Sequence, residues 1–306
     1  MKIGTDCHLR FVICYFQESA TVPGVTMPNI IQSFLILLLI ISLQIIVYAI
    51  FLRPLLLTWG ASKNEVKMPL VGDNLAPHIS STRAITINAP ISEVWKWLTQ
   101  LGADRGGFFS YSFIEKALGY EFRPADITLD FQDMEVGRIV PGSLDESKSL
   151  IKYNFPVVAV EPGQSFVLKD WGAFVLKKIN AKQTRLIVRT HGQELSGLKR
   201  IIDDFMGTPL HYIMERRMLM GFKARAEAGA GVRLSSTADN LWLLGIFMSA
   251  IGIAIMVFIG RDIQYILLSV LYSLIWLCSL LIFDPRPKYS LLLLLVVAVT
   301  TSTMLY

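Results

Sequence analysis

Long apolar runs frame this chain, and between them polar and apolar positions alternate at shorter periods. From Ser19 to Leu52 there is no Asp, Glu, Lys or Arg, and residues 30–52 are almost wholly aliphatic. Residues 241–260, 263–283 and 289–306 repeat the pattern, set off by Asp239, Arg261, Asp262, Asp284, Arg286 and Lys288. About 20 apolar residues span the hydrocarbon core as a helix, so four transmembrane helices are expected. The first run is longer than a signal-peptide core and no A-x-A site follows it, which predicts an uncleaved anchor. Residues 1–29 are expected to be a tail outside the membrane, or to be largely untranslated if synthesis starts at Met27. None of the four runs contains Asp, Glu, Lys, Arg or His. They read as an anchoring bundle, not a pump, with Gly245, Ser249, Ala250, Gly252 and Gly260 suited to close helix packing.

The middle of the chain has a different texture. Residues 60–78 read as an irregular lead-in. Ser81–Asn88 alternates as a strand. Pro90 opens a helix carrying Val94, Trp97, Leu98 and Leu101 at helical spacing, and Gly102 ends it. An unusual insertion, Arg105–Tyr111, follows. Ser112 and Glu115 have capping-box spacing, and Gly119 would end a short helix there. Gly137–Val140, Tyr153–Val160, Ser165–Asp170, Gly172–Ile179 and Thr184–His191 then read as closely spaced strands with tight turns, an antiparallel meander. Thr208 as N-cap and Pro209 at the first helical position predict a long final helix to about Ala228. The expected class is α+β: an antiparallel sheet curved around one long helix, plus four membrane helices.

This middle region resembles the SRPBCC superfamily of START-like, Bet v 1-like helix-grip domains. The resemblance is carried by TRAITINAPISEVWKWLTQLG at 82–102, DWGAFVLKK at 170–178, TRLIVRTHG at 184–192 and HYIMERRMLMGFKARAE at 211–227. It covers residues 60–228, and the RGGFFSY segment at 105–111 is similar to a bacterial branch of the superfamily. The resemblance implies a pocket for a hydrophobic ligand and carries over no catalytic residues, since the superfamily shares none.

Composition sharpens this picture. Hydrophobic residues make up 53% of the 306 and charged ones only 17%, which argues against an ordinary soluble enzyme. Of the 29 Lys and Arg, 24 lie within residues 53–239, as do 20 of the 24 Asp and Glu. Lys and Arg near the helix ends favour the side carrying Arg53, Lys63, Lys67, Lys223, Arg225, Arg233, Arg286 and Lys288. By the positive-inside rule the domain is expected in the cytoplasm of an inner-membrane protein. Trp59 and Trp242 fall near that boundary, as belt aromatics do. Cys7, Cys14 and Cys278 all lie outside the domain, so it has neither a disulfide framework nor a thiolate nucleophile.

Candidate chemistry is sparse. The four histidines show no metal-ligand spacing, and no cofactor or metal is expected. Asp126, Asp130, Asp133 and Glu135 lack a calcium-loop pattern and read as a solvated loop. Arg105-Gly106-Gly107 has the makings of an anion cradle for a carboxylate or phosphate headgroup, or equally of a packed insertion with a structural ion pair. Phe108, Tyr111 and Phe113 would add an apolar lid. The final helix contributes Leu210 and Met214 within a Met-rich run suited to irregular space. Along the last strand the Leu186/Val188 face is expected inward, since unpaired Arg185 and Arg189 would be costly to bury. With Trp97, these residues form the expected ligand site. The expected function is membrane-anchored binding, transfer or sensing of a hydrophobic or amphipathic small molecule such as a lipid. The alternatives are a cyclase/dehydrase-type enzyme using His191 or Tyr111, and an interaction module at the membrane. Basic residues interleaved with exposed aromatics are missing, which argues against nucleic acid.

Overall fold

The computed structural model describes residues 27–76, 78–111, 132–143, 147, 154–228, 237–260 and 262–304. The first described element is helix α1 (Met27–Val47), which continues through a π turn (Tyr48–Leu52) into α2 (Arg53–Leu57). Together, Ile30–Leu57 is long and apolar enough to cross a membrane. So are α7 (Thr237–Ile259) and α8 (Ile263–Leu281), while α9 (Pro287–Thr303) is a shorter apolar helix. Where α7 meets α9 the small residues have a purpose. A Cβ on Gly245 would lie 2.5 Å from Ser290 Oγ, and one on Gly252 would lie 2.6 Å from Val297 Cγ1. These glycines let the two backbones approach closely.

Between the apolar helices lies the α+β region. Its strands are β1 (His78–Ile87), β2 (Ile139–Pro141), β3 (Asn154–Glu161), β4 (Ser165–Leu168), β5 (Gly172–Asn180) and β6 (Gln183–Gly192). They form one six-stranded antiparallel sheet in the order β1-β6-β5-β4-β3-β2. The meander expected from the tight turns is present, and β1 returns to pair with the last strand. Helix α4 (Ile91–Leu98) follows β1, and the chain ends its polar part in α5 (Gly197–Ile202), a π turn (Asp203–Gly207) and α6 (Thr208–Ala228).

The core is the inner face of the sheet against α4 and α6. Ile87, Phe166, Phe174, Leu186 and Val188 meet Val94, Trp97 and Leu98 from α4, and Met218, Leu219 and Phe222 from α6. All of these are nearly inaccessible to solvent. At the usual worth of a buried apolar side chain, each stabilises by roughly 1.5–3 kcal/mol before entropy is counted.

Three local expectations need correction. The lead-in is not irregular: Ser62 and Glu65 form a capping box that opens α3 (Lys63–Lys67). That S-x-x-E signal is legible in the sequence, and it is what positions the covering of the sheet's outer face. Arg189 is buried there with all five of its N–H donors used. It donates to Thr82 Oγ1, Met68 O, Asp73 Oδ2, Glu65 O and Val66 O at 2.6–3.1 Å. Arg185 grips both carboxylate oxygens of Glu65 at 2.8 and 2.9 Å. Burying the Arg189 guanidinium is tolerable because every one of its donors is satisfied.

The second correction concerns the N-cap: α6 spans Thr208–Ala228 as expected, but Thr208 is itself helical and continues from the π turn, so it caps nothing. Pro209 follows it, just after the π turn. Proline lacks an N–H and its ring crowds the carbonyl four residues back, and a widened turn relieves both problems. Asp203 and Asp204 open that π turn. Third, Trp242 is not a lipid-facing belt residue. It is fully buried and stacks on Tyr111 with ring centroids 6.0 Å apart.

Candidate functional site

The site is a cavity of about 590 Å³ between one end of the sheet and the start of α6. Strand alternation builds one wall. Ser81 and Arg83 on β1 lie opposite Thr190 and Val188 on β6, on the face shared with the core. Met214 and Met218, one turn apart, and Glu215 beside Met214 come from α6. Leu57, at the end of α2, closes another side.

The cavity has two chemically distinct ends. At one, Trp171 packs against Phe155 and Phe108 with ring centroids 4.9 and 5.6 Å apart. Such clustered rings form a rigid apolar wall. At the other, Arg83 and Glu215 form a buried ion pair, each side chain only 1% exposed. Arg83 Nε also donates to Leu56 O at 2.7 Å, and its charge lies 5.4 Å from the Tyr212 ring centre. Thr190 Oγ1 donates to the second oxygen of Glu215 at 3.4 Å.

His211 completes the polar end. Arg83 Nη1 lies 3.2 Å from His211 Nδ1. A guanidinium can only donate, so Nδ1 accepts and the ring proton sits on Nε2. Although 40% of the side chain is reachable from the cavity, its burial within the protein pushes the imidazole pKa down to about 3, and the Arg83 charge lowers it further. The ring is therefore neutral at physiological pH. Burial also lowers the Arg83 pKa to about 10, leaving the group charged.

Two polar atoms in the lining have no hydrogen-bond partner among the described residues: Ser81 Oγ and Trp171 Nε1. Buried donors of this kind normally find partners. Both residues border the cavity, but the two atoms themselves are buried beneath its surface. Carboxylates outnumber cations on the lining, with Asp170, Asp203 and Glu215 against Arg83.

The residues singled out by sequence scatter around this cavity. Phe108 and Met214 line it. Trp97, Leu186 and Val188 lie in the core beneath it. Leu210 points outward and is 57% exposed. Tyr111 is buried against Trp242 and Ile246, and burial pushes its hydroxyl pKa up to about 12. Phe113, like Ser112, Glu115, Gly119, Asp126 and Asp130, falls outside the described residues.

Arg105 is committed elsewhere. Its Nη2 lies 2.9 Å from Asp133 Oδ1 and its Nη1 donates to Thr99 O at 3.3 Å. The Gly106 and Gly107 N–H groups donate to Gln100 O and Gly102 O, both at 2.8 Å. The loop is a closed turn whose donors are already used, not an open anion cradle.

His191, one of two candidate acid–base groups, has its backbone at the cavity but its ring on the opposite face of β6. A Cβ added to Gly72 of the lead-in would meet its Cε1 at 3.3 Å. Burial lowers its pKa. The polar end of the cavity, Arg83–Glu215–His211, was not found from sequence. Its only sequence trace is an Arg that shares one face of β1 with Ile85 and Ile87, and a His-x-x-x-Glu spacing on a helix. Among the described residues no group of His, Cys, Asp or Glu has the arrangement of a metal site.

In comparison with known proteins, the chain matches no family model, and no curated protein matches its sequence.

Proposed function

We propose that this protein is a membrane-anchored binding module for an amphipathic small molecule. The observation that carries the proposal is the two-ended cavity: an aromatic wall at one end, and at the other a neutralised ion pair beside the accessible His211 ring. In this reading the α+β region is a helix-grip domain of the SRPBCC type, four helices span an inner membrane, and the domain is cytoplasmic. The sheet–helix arrangement and the quoted sequence segments support the first point. The basic residues flanking the apolar runs support the last.

A tail of eight buried methylenes would supply about 6 kcal/mol at ~0.8 kcal/mol each, enough for retention without any charged contact. The ligand head is uncharged. Arg83 is already neutralised by Glu215, and an added carboxylate or phosphate would meet Asp170 and Asp203. A hydroxyl or carbonyl instead accepts from His211 Nε2.

Native mass spectrometry of the full-length protein in detergent tests this reading, using a long-chain alcohol and the fatty acid of equal length as probes. The alcohol is expected to bind in preference to the acid, and Met214→Trp, which narrows the cavity, is expected to weaken binding of both. Failure of the wild-type protein to retain either probe would overturn the proposal.

One observation favours a second reading, an enzyme of cyclase or dehydrase type: three ionisable side chains, Arg83, His211 and Glu215, meet in the cavity. Arg83 occupies Nδ1 of His211, which suits that ring to orienting a substrate more than to taking its proton. Turnover of a bound compound that disappears in His211→Gln, with binding retained, would favour the enzyme.

A further inference from the structure

An exposed apolar stripe runs along the helix that borders the cavity mouth. Leu198, Ile201, Ile202, Phe205, Met206 and Leu210 recur at spacings of three and four and are 39–70% exposed. The other side of the same helix contributes Asp203 and Gly207 to the cavity lining. Apolar residues in a repeating stripe on a surface helix need a cover.

The contacts of this helix identify the cover. Asp204 accepts from Arg53 Nη2 at 2.5 Å, and its backbone oxygen accepts from Tyr48 Oη at 2.7 Å. The Phe205 ring lies 5.8 Å from that of Tyr48. Tyr48 and Arg53 belong to the apolar stretch Ile30–Leu57. At 1.5 Å per residue, about 20 residues from Ile30 exhaust the ~30 Å hydrocarbon core and reach its boundary near Tyr48. The stripe is therefore held at the depth of the membrane–water boundary. Ile46, Ile50 and Phe51, at the same height along that stretch, are exposed as well. Lys199 and Arg200, both exposed, border it as basic residues border interfacial helices.

We infer that residues 197–210 form an in-plane interfacial helix, with the lipid of the membrane that Ile30–Leu57 is apolar enough to span as its partner. This goes beyond the binding proposal, because it concerns where the helix lies whether or not the cavity is filled.

The test places a nitrobenzoxadiazole label at Ile201→Cys or Met206→Cys. The background carries Cys7→Ser, Cys14→Ser and Cys278→Ala, and the full chain is reconstituted in phosphatidylcholine/phosphatidylglycerol vesicles. Ile50→Cys is the lipid-facing reference and Ile179→Cys, on an exposed strand end, the aqueous one. All labelled sites are exposed, so folding is not at stake. The expected result is quenching by lipids carrying doxyl groups near the glycerol end of their chains, to the extent seen at Ile50, with little quenching by iodide. Iodide quenching like that at Ile179 would overturn the inference. Protection from both quenchers would overturn it too, since a protein surface or a second copy would then cover the stripe. The readout contains no ligand, so it can fail without the binding proposal failing, and the reverse.

Discussion

Replacing Glu215 by Leu would strand the Arg83 guanidinium inside the protein. Both side chains are 1% exposed, so water cannot take the place of the lost carboxylate. Arg83 would keep its bond to Leu56 O and its contact with His211, but no anion would balance it. Breaking a buried pair from one side costs about 3–5 kcal/mol. That is a large part of the ~5–15 kcal/mol available to a domain. At about 2–4 °C per kcal/mol for a domain of this size, Tm should fall by roughly 6–20 °C. The double variant Arg83→Met/Glu215→Leu removes both charges and fills similar volume, so it should melt above the single variant. Thermal unfolding of the detergent-solubilised protein, followed by tryptophan fluorescence, measures both. The reasoning fails if Glu215→Leu melts within about 2 °C of wild type, or if the double variant melts lower than the single one.

Further outcomes follow from the same geometry. The Arg185 hydrogen bonds hold the Glu65 carboxyl pKa down to about 2 from 4.5, and burial holds His211 down to about 3 from 6.5. Both folded pKa values are depressed, so both contributions to stability are complete above the unfolded values and are lost as pH falls toward the folded ones. Denaturant stability measured against pH should thus decline from about 6.5 downward, and in His211→Gln the decline should begin only near the carboxylate range. Gly172→Ala would put a Cβ 2.0 Å from Arg189 O at a φ of 142°. It should destabilise by about 1–3 kcal/mol in chemical unfolding. Arg216→Met removes hydrogen bonds to Leu280 O, Leu281 O and Phe283 O at the end of α8. Limited proteolysis should then cut faster around residues 283–286, where the polar region rests on the apolar helices.

The strands from 154 to 192 were legible because tight turns and alternating residues specify a meander locally. The apolar helices were legible because a membrane-spanning run is a property of composition and length. The polar end of the cavity was not. Arg83, His211 and Glu215 look unremarkable in sequence, since 128 and 132 positions separate Arg83 from its two partners. Arg105 misled for the converse reason. A guanidinium beside two glycines suggests a cradle, and only the fold shows Asp133 and Thr99 using its donors. Pro209 likewise read as a helix start because a π turn, the device that admits proline mid-helix, leaves no clear mark in sequence.

The sequence by itself determined where apolar surface had to be hidden and where strands and helices would form. These follow from side-chain type and period. The tertiary structure alone decided which buried charges are paired, which strand face an arginine can occupy, and where space remains between sheet and helix. Those outcomes depend on groups distant in the chain meeting within a few ångströms. The lead-in shows the difference most plainly: Ser62 and Glu65 announce a short helix, but only its docking on the outer face supplies the carbonyls that let Arg189 be buried.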